Sequence, residues 1–387
     1  MEKWIECKIS DIGTVVGGAT PSTKKPENYE NGDIAWITPK DLSSFSGRYI
    51  QRGERNITEI GLKSCSTQLL PKDTVLFSSR APIGYVAIAE NAVCTNQGFK
   101  SVIPNEDTDP IFLYYLLKYN KDKIESMGSG TTFKEVSGNT MKNIVVSVPQ
   151  DKQVQKKIAS VLDAIDEKIE ENERINNNLE QQAQAIYNNM VPYSVDDILP
   201  TEWYKGTVED IIEIHDSKRI PLSGQARQKM EKKTYPYYGT ASLMDYVDDY
   251  IFEGKYLLLG EDGTVVDAAG FPILQYVWGK FWVNNHAHIL TGKHGFTVES
   301  LMLLFRRTPV KSIVTGAVQP KISQANLKSI PIVIPSEAIL SELNNASEPL
   351  FSQIRVNIEE NKSLAALRDT LLPKLMSGEI DVSDITF

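Results

Sequence analysis

Residues 130–149 read GTTFKEVSGNTMKNIVVSVP, and residues 316–335 read GAVQPKISQANLKSIPIVIP. Gly130, Ser137, Lys142 and Pro149 fall on Gly316, Ser323, Lys328 and Pro335 without a gap, at a constant offset of 186. Both stretches then alternate apolar and polar residues up to the proline, which is the period of a half-buried strand. Two colinear copies of so specific a pattern make the chain an internal repeat, and the repeat decides how everything around it is read.

Working outward, Trp4 is followed by Ile9, Asp11 and Ile12 at the spacings that separate Trp203 from Val208, Asp210 and Ile211. PKDTVLFSS (71–79) matches EGKYLLLGE (253–261). TNQGFKSV (95–102) matches NNHAHIL (284–290), with Asn96 set against Asn285 and Gln97 against His286. Order is kept while the offsets drift, so loops of unequal length separate matched elements. Strand-like runs between Gly, Pro and Asn turns make the front of each copy β-rich, but strand order is not legible.

Beyond Pro149 and Pro335 the period becomes helical. Apolar residues fall at Val154, Ile158, Val161, Ile165, Ile169, Ile175, Leu179, Ala183, Ile186 and Met190, and again at Leu340, Leu343, Leu350, Ile354, Ile358, Leu364, Leu367, Leu371 and Leu375. The string IEEN stands in both stripes, at 169–172 and 358–361. Each stripe runs on for roughly 40–50 Å at 1.5 Å per residue, longer than a small domain covers, so the two are expected to bury each other as an antiparallel coiled coil. The expected seam brings Ile165, Ile169, Asn172 and Leu179 against Ile354, Ile358, Asn361 and Leu364, with the two asparagines fixing register. The expected fold class is therefore α+β: β-rich globular domains at 1–150 and 196–335, long helices at 151–195 and 336–387 (the latter with a C-terminal tail), and an internal pseudo-two-fold.

The chain has 387 residues, 41% hydrophobic and 24% charged, enough for more than one core. No stretch is apolar enough to span a bilayer and MEKWIECKIS is not a signal peptide, so the expected location is the cytoplasm. Cys7, Cys65 and Cys94 are odd in number and scattered, which supports neither a disulfide framework nor a zinc site. The net charge is −9, but residues 1–150 carry 17 basic and 17 acidic side chains and 196–335 carry 15 and 16. The acidity sits in the helical segments, with 5 basic against 8 acidic in 151–195 and 4 against 9 in 336–387.

Phosphate-loop, dinucleotide, zinc-protease, nucleophile-elbow and amino-methyltransferase motifs are absent from the sequence. One local cluster carries an alternative, a metal-dependent nuclease or hydrolase using His286 and His288 with Asp262 or Glu261. Gln97 stands where His286 does in the matched copy, which argues against a ligand set. A third reading is a coiled-coil interaction scaffold without nucleic acid. Basic and polar residues cluster in both β-rich segments and suit phosphate anchoring with base-edge reading. In the first copy the candidates are Lys24, Lys25, Lys40, Arg48, Arg52, Arg55, Ser79, Arg80, Asn96, Gln97, Ser129, Thr131 and Thr132. The second offers Lys218, Arg219, Arg227, Tyr237, Tyr238, Thr240, Asp262, Asn285, His286 and Lys321. Arg and Lys favour guanine, Asn and Gln favour adenine, and a carboxylate accepts from the cytosine amino group.

This layout, closed by LRDTLLPKLMSGEIDV (367–382), resembles the specificity (S) subunits of type I restriction–modification systems. The resemblance covers essentially the whole chain and rests on Trp4 and Trp203, the NIVVSVP and SIPIVIP strand exits, both IEEN helices, IPLS after SKR, and that C-terminal run. It implies a non-catalytic subunit whose two target recognition domains read the halves of a split, asymmetric site in double-stranded DNA. It also implies two modification subunits that bind S-adenosylmethionine and methylate adenine, and ATP- and magnesium-dependent restriction subunits. No cofactor is expected in this chain itself.

Overall fold

The computed structural model describes residues 3–130, 134–316 and 318–383. The chain divides into two compact units, Met1–Asn172 with Glu359–Phe387, and Glu173–Ile358. Each unit holds one β-rich head and a share of two long helices, Lys152–Met190 and Glu337–Met376.

In the first unit a five-stranded sheet has the order Gly13–Gly17, Lys100–Pro104, Val75–Ser79, Ile83–Ala89, Tyr49–Ile50. In the second, a six-stranded sheet runs Ile212–Ile214, Ala287–Gly292, Phe252–Gly260, Leu274–Val283, Tyr235–Tyr238, Leu243–Val247. The first four strands are antiparallel neighbours in the same order in both heads. A further parallel pairing recurs as well: Trp36 and Ile37 on Cys94 and Thr95, Tyr237 and Tyr238 on Trp282 and Val283. The repeat seen in the sequence is thus a repeat of topology.

The strands that end each copy, Val145–Pro149 and Pro331–Ile334, form the joint between head and helix. Val145–Pro149 pairs antiparallel with Trp4–Lys8, placing Trp4 opposite Pro149, and Pro331–Ile334 pairs in the same way with Tyr204–Thr207. A proline cannot donate to the ladder and ends the strand. The first long helix follows at once, with the Asp151 carboxylate accepting from the Gln153 amide at 2.8 Å as an N-terminal cap. The C-terminal run closes on this joint: the second long helix stops at Gly378, in the left-handed region at φ 75°, where a Cβ would come within 2.7 Å of the Trp4 indole nitrogen.

The helical stripes do two jobs, where the sequence predicted one. Within the first unit Val154, Ile158 and Leu162 join Phe77, Phe112, Tyr115 and Leu375 in the core of the head. In the second, Ala183 and Tyr187 pack with Leu257, Leu301, Phe305, Phe351 and Ile354. Each large apolar side chain so buried contributes about 1.5–3 kcal/mol. Between these apolar ends the seam is polar. In the first unit Arg368 reaches Asp166 at 2.7 Å, and the Asn172 amide donates to Asn361 Oδ1 at 2.8 Å and to Glu360 at 2.7 Å. Asn361 in turn donates to the Ile169 carbonyl at 3.2 Å. In the second unit Asn357 donates to Asn176 Oδ1 at 2.8 Å. Later residues of one helix meet earlier residues of the other, so the pairing is antiparallel and fits a coiled coil. Ile165, Ile169, Leu179, Ile358 and Leu364 are half-buried flanks of this seam, Ile354 is buried, and Leu367 is exposed.

Candidate nucleic-acid interface

The expected DNA-facing residues separate into those the fold consumes and those it presents. Arg48 belongs to the first kind. Its side chain is 4% exposed, Nε and Nη2 donate to Glu170 at 2.9 Å each, and Nη1 reaches Asp163. Burial opposes its charge, but the hydrogen bonds and charge of Glu170 outweigh that and hold the guanidinium protonated. Arg48 therefore ties head to helix within its unit and is too deeply buried to meet a phosphate. Burial likewise withdraws Ser79, whose hydroxyl donates to the Gly98 carbonyl at 3.1 Å. Arg219 lies between Glu261 at 2.5 Å and Asp216 at 3.4 Å, and also donates to the Ala287 carbonyl. Arg227 is held by Asp245 at 3.1 Å and stacks 4.8 Å over Tyr237, a residue 1% exposed whose hydroxyl accepts from the Leu222 amide. These five were expected at DNA and are internal supports instead. Composition could not tell them apart, because a buried arginine and a solvated one are the same letter.

Lys24, Lys25, Arg52, Arg55, Gln97, Ser129, Lys218 and Asn285 are exposed. Lys40 is exposed while paired to Glu54 at 2.7 Å, and Arg55 rests 4.8 Å over the Tyr29 ring. Tyr238 is half-buried. Thr131 and Thr132 lie outside the described residues.

A polar hub recurs at one place in both heads. In the first, the strand Val75–Ser79 ends where the Ser79 amide donates to the Gly98 carbonyl at 2.7 Å and the Ser79 carbonyl accepts from Val136 at 3.0 Å. In the second, the Glu261 amide donates to the His286 carbonyl at 2.9 Å and the Glu261 carbonyl accepts from Ile322 at 2.9 Å. Ser129 and Glu135 exchange backbone hydrogen bonds just as Thr315 and Lys321 do. These bonds equate Ser79 with Glu261, Arg80 with Asp262, and Glu135 with Lys321. Hence the same positions carry opposite charges: Arg80 meets Glu135 at 3.4 Å in one head, and Asp262 meets Lys321 at 3.4 Å in the other. Lys100 joins the first hub at 3.3 Å from Glu135, and Glu261 joins the second at 3.2 Å from Lys321. Thr240 completes it, its hydroxyl donating to the Asp262 carbonyl at 2.9 Å. Lys100 and Glu135 were not singled out in the sequence, although the offset of 186 already set Glu135 against Lys321.

The backbone also corrects one residue match. Asn96 N donates to the Ile37 carbonyl and Asn284 N to the Tyr238 carbonyl, each at 3.0 Å. Asn96 Oδ1 accepts from Gly98 N, and Asn284 Oδ1 from His286 N, each at 2.8 Å. Asn96 therefore corresponds to Asn284, and Gln97 to Asn285. Sequence matching favoured Asn285 because NN offers two equal letters and only hydrogen bonding distinguishes them.

Asp216, Glu261 and His288 bring ligand-type atoms within 4.8 Å of one another, and they test the hydrolase alternative. His288 is buried, with Nδ1 2.7 Å from Asp216 Oδ2 and Nε2 2.8 Å from the Ile322 carbonyl, so neither nitrogen is open to a metal. The cationic position is taken by the Arg219 guanidinium, and Gln324 donates to Asp216 at 2.6 Å. Burial raises the Asp216 carboxyl, but His288, the Ile289 amide and Arg219 outweigh it and hold it below its ordinary 3.8. His286 lies outside this group, 3.6 Å from Asp262, and the two histidines do not share a ligand face. The donor set is that of a structural ion-pair network.

Two heads of one topology, each with a polar hub and each packed on its own share of the two long helices, define a duplicated protein. The chain belongs to the family described as the type I restriction modification DNA specificity domain, whose model matches residues 1–181 and 200–346. It is 34% identical, over 99% of its length and 94% of the relative's, to the type I restriction enzyme MjaIX specificity subunit of Methanocaldococcus jannaschii. It is 22% identical to the EcoprrI specificity subunit of Escherichia coli, over 85% of this chain and 82% of that one. Among solved structures, the S subunit of a type I restriction-modification system from M. genitalium matches the fold with a TM-score of 0.57 at 18% identity, covering 97% of this chain and 96% of that chain. Relatives of this family are the non-catalytic specificity components, and neither the hydrolase nor the DNA-free scaffold reading finds support among them.

Proposed function

We propose that each head reads one half of a two-part, asymmetric target in double-stranded DNA, and that the long helices set the number of base pairs between the halves. The observation that carries this is the hub: one backbone framework occurs twice with different side chains, as expected of two readers sharing a docking geometry but not a sequence. Exposed Lys24, Lys25, Arg52 and Arg55 in one head and Lys218 in the other supply phosphate anchors, while Arg80, Gln97, Asp262, Asn285, His286 and Lys321 are the candidates for base edges. Heads carrying 17 basic against 17 acidic and 15 against 16 residues contribute little general attraction to DNA. The acidic helices suit protein partners: two modification subunits binding S-adenosylmethionine, with restriction subunits using ATP and magnesium, in the cytoplasm. The test is to map methylated adenines in a host expressing the modification subunits with and without this chain. A single bipartite motif that depends on the chain is expected; methylation independent of it, or a continuous motif, overturns the reading. In addition, the isolated chain should bind random duplex weakly at physiological salt, and tight binding there would contradict the assigned division of labour.

A further inference from the structure

The turns Asn96–Gly98 and Asn284–His286 are clamped alike at three points. The first residue donates its amide to the neighbouring parallel strand at 3.0 Å, its carboxamide oxygen accepts from the third residue's amide at 2.8 Å, and the third residue's carbonyl is held from the adjacent strand at 2.7 Å in one head and 2.9 Å in the other. In the first head the turn is also tight, since a Cβ on Gly98 would lie 2.7 Å from the Pro39 ring. Between the clamps one side chain is left to project, and in both heads it is an exposed carboxamide, Gln97 or Asn285. Asn285 has no hydrogen bond among the described residues, and the Gln97 amide oxygen is met by the Thr20 hydroxyl. A carboxamide offers a donor and an acceptor side by side, the complement of adenine N7 and N6 in the major groove. A rigid backbone beneath it sets where that pair stands, which is the requirement for discrimination between bases. The neighbours differ, Arg80 and Gly98 in one head against Asp262 and His286 in the other, so the rest of each half-site need not be shared.

We infer that Gln97 and Asn285 are equivalent specificity-determining residues, each reading one adenine of its own half-site through N7 and N6. This deepens the function proposed above and rests on it. The experiment uses the complex of the full chain with its modification subunits. Gln97→Ala should relax a single adenine position in one half of the methylated motif, with preference falling about 5- to 150-fold, the equivalent of about 1–3 kcal/mol per bidentate contact, and Asn285→Ala should do the same in the other half only. Gln97→Arg should shift that position towards guanine, which loss of a merely structural residue would not do. As a second readout, 7-deazaadenine placed singly at each adenine of the site should weaken binding of the unaltered complex at one position per half, and Gln97→Ala should abolish that sensitivity in its half. An unchanged motif in all three variants, equal damage to both halves, or undiminished 7-deazaadenine sensitivity in the variant would overturn the inference. Failure of the unaltered complex to methylate any two-part motif would overturn the underlying function instead.

Discussion

Replacing Asn176, Asn357, or both by leucine probes the seam in the second unit most sharply. Asn357 is 4% exposed and Asn176 9%, and their 2.8 Å hydrogen bond is accompanied by one from Gln353 to Asn357 Oδ1 at 2.7 Å. Asn176→Leu leaves the Asn357 amide buried without its acceptor, and Asn357→Leu strands the Asn176 oxygen, each costing about 1–3 kcal/mol. In a unit of this size about 2–4 °C of midpoint corresponds to each kcal/mol, so either single change should lower its melting by roughly 2–12 °C. The double change removes both polar groups together and fills the seam with apolar surface, so it should cost no more than either single change, giving a coupling of at least about 1–3 kcal/mol. Because a chain of two units need not unfold in one step, calorimetry should be paired with hydrogen exchange on residues 173–190, which reports local opening. Singles costing less than roughly 0.5 kcal/mol, the size of an ordinary surface change, or a double as damaged as the sum of its parts, would refute the pairing.

Other consequences can be checked independently. Arg48→Met should destabilise the first unit by about 1–3 kcal/mol in denaturant titration, below the ~3–5 kcal/mol of a fully buried pair because Asp163 and Glu170 are partly exposed. Arg52→Met should leave stability unchanged and weaken DNA binding by the complex. Asp216 has a depressed carboxyl, so its contribution is complete above the unfolded value near 3.8 and is lost as pH falls through the lower folded value. Acid unfolding of the second unit should therefore lose part of its pH dependence in Asp216→Asn, as read by fluorescence between about pH 5 and pH 2. Elemental analysis should find no stoichiometric metal at His288, and a chelator should leave the unit's melting unchanged. A matched insertion of whole heptads after Asn172 and after Asn357 should lengthen the spacer of the methylated motif while keeping both halves. The same insertion in one helix alone should break one asparagine pair and lower stability.

The sequence carried the repeat because matched elements keep their order when loops change, and it carried the helices because a period of 3.6 is local. Asn172 against Asn361 was legible for the same reason: identical flanks marked the two places as one. Asn176 with Asn357 and Asp166 with Arg368 were not, since a polar residue in a polar run reads as surface until a partner on the other helix is known. Strand order escaped as well, because it depends on pairings distant in sequence. Within the site, Gln97 and Asn285 were legible as candidates but their equivalence was not, and Arg48, Arg219 and Arg227, expected at DNA, are held by carboxylates instead. Charge type is written in the sequence, but whether a carboxylate such as Glu170, Glu261 or Asp245 already holds that charge is decided by the fold.

The central claim is that two separable readers share one chain. It is tested most directly by exchanging residues 1–150 for the corresponding segment of another family member, assembling the complex with its modification subunits, and mapping the methylated motif base by base. One half of the motif should change completely while the other half and the spacer stay as they were. Alteration of both halves, or of neither, would contradict the account.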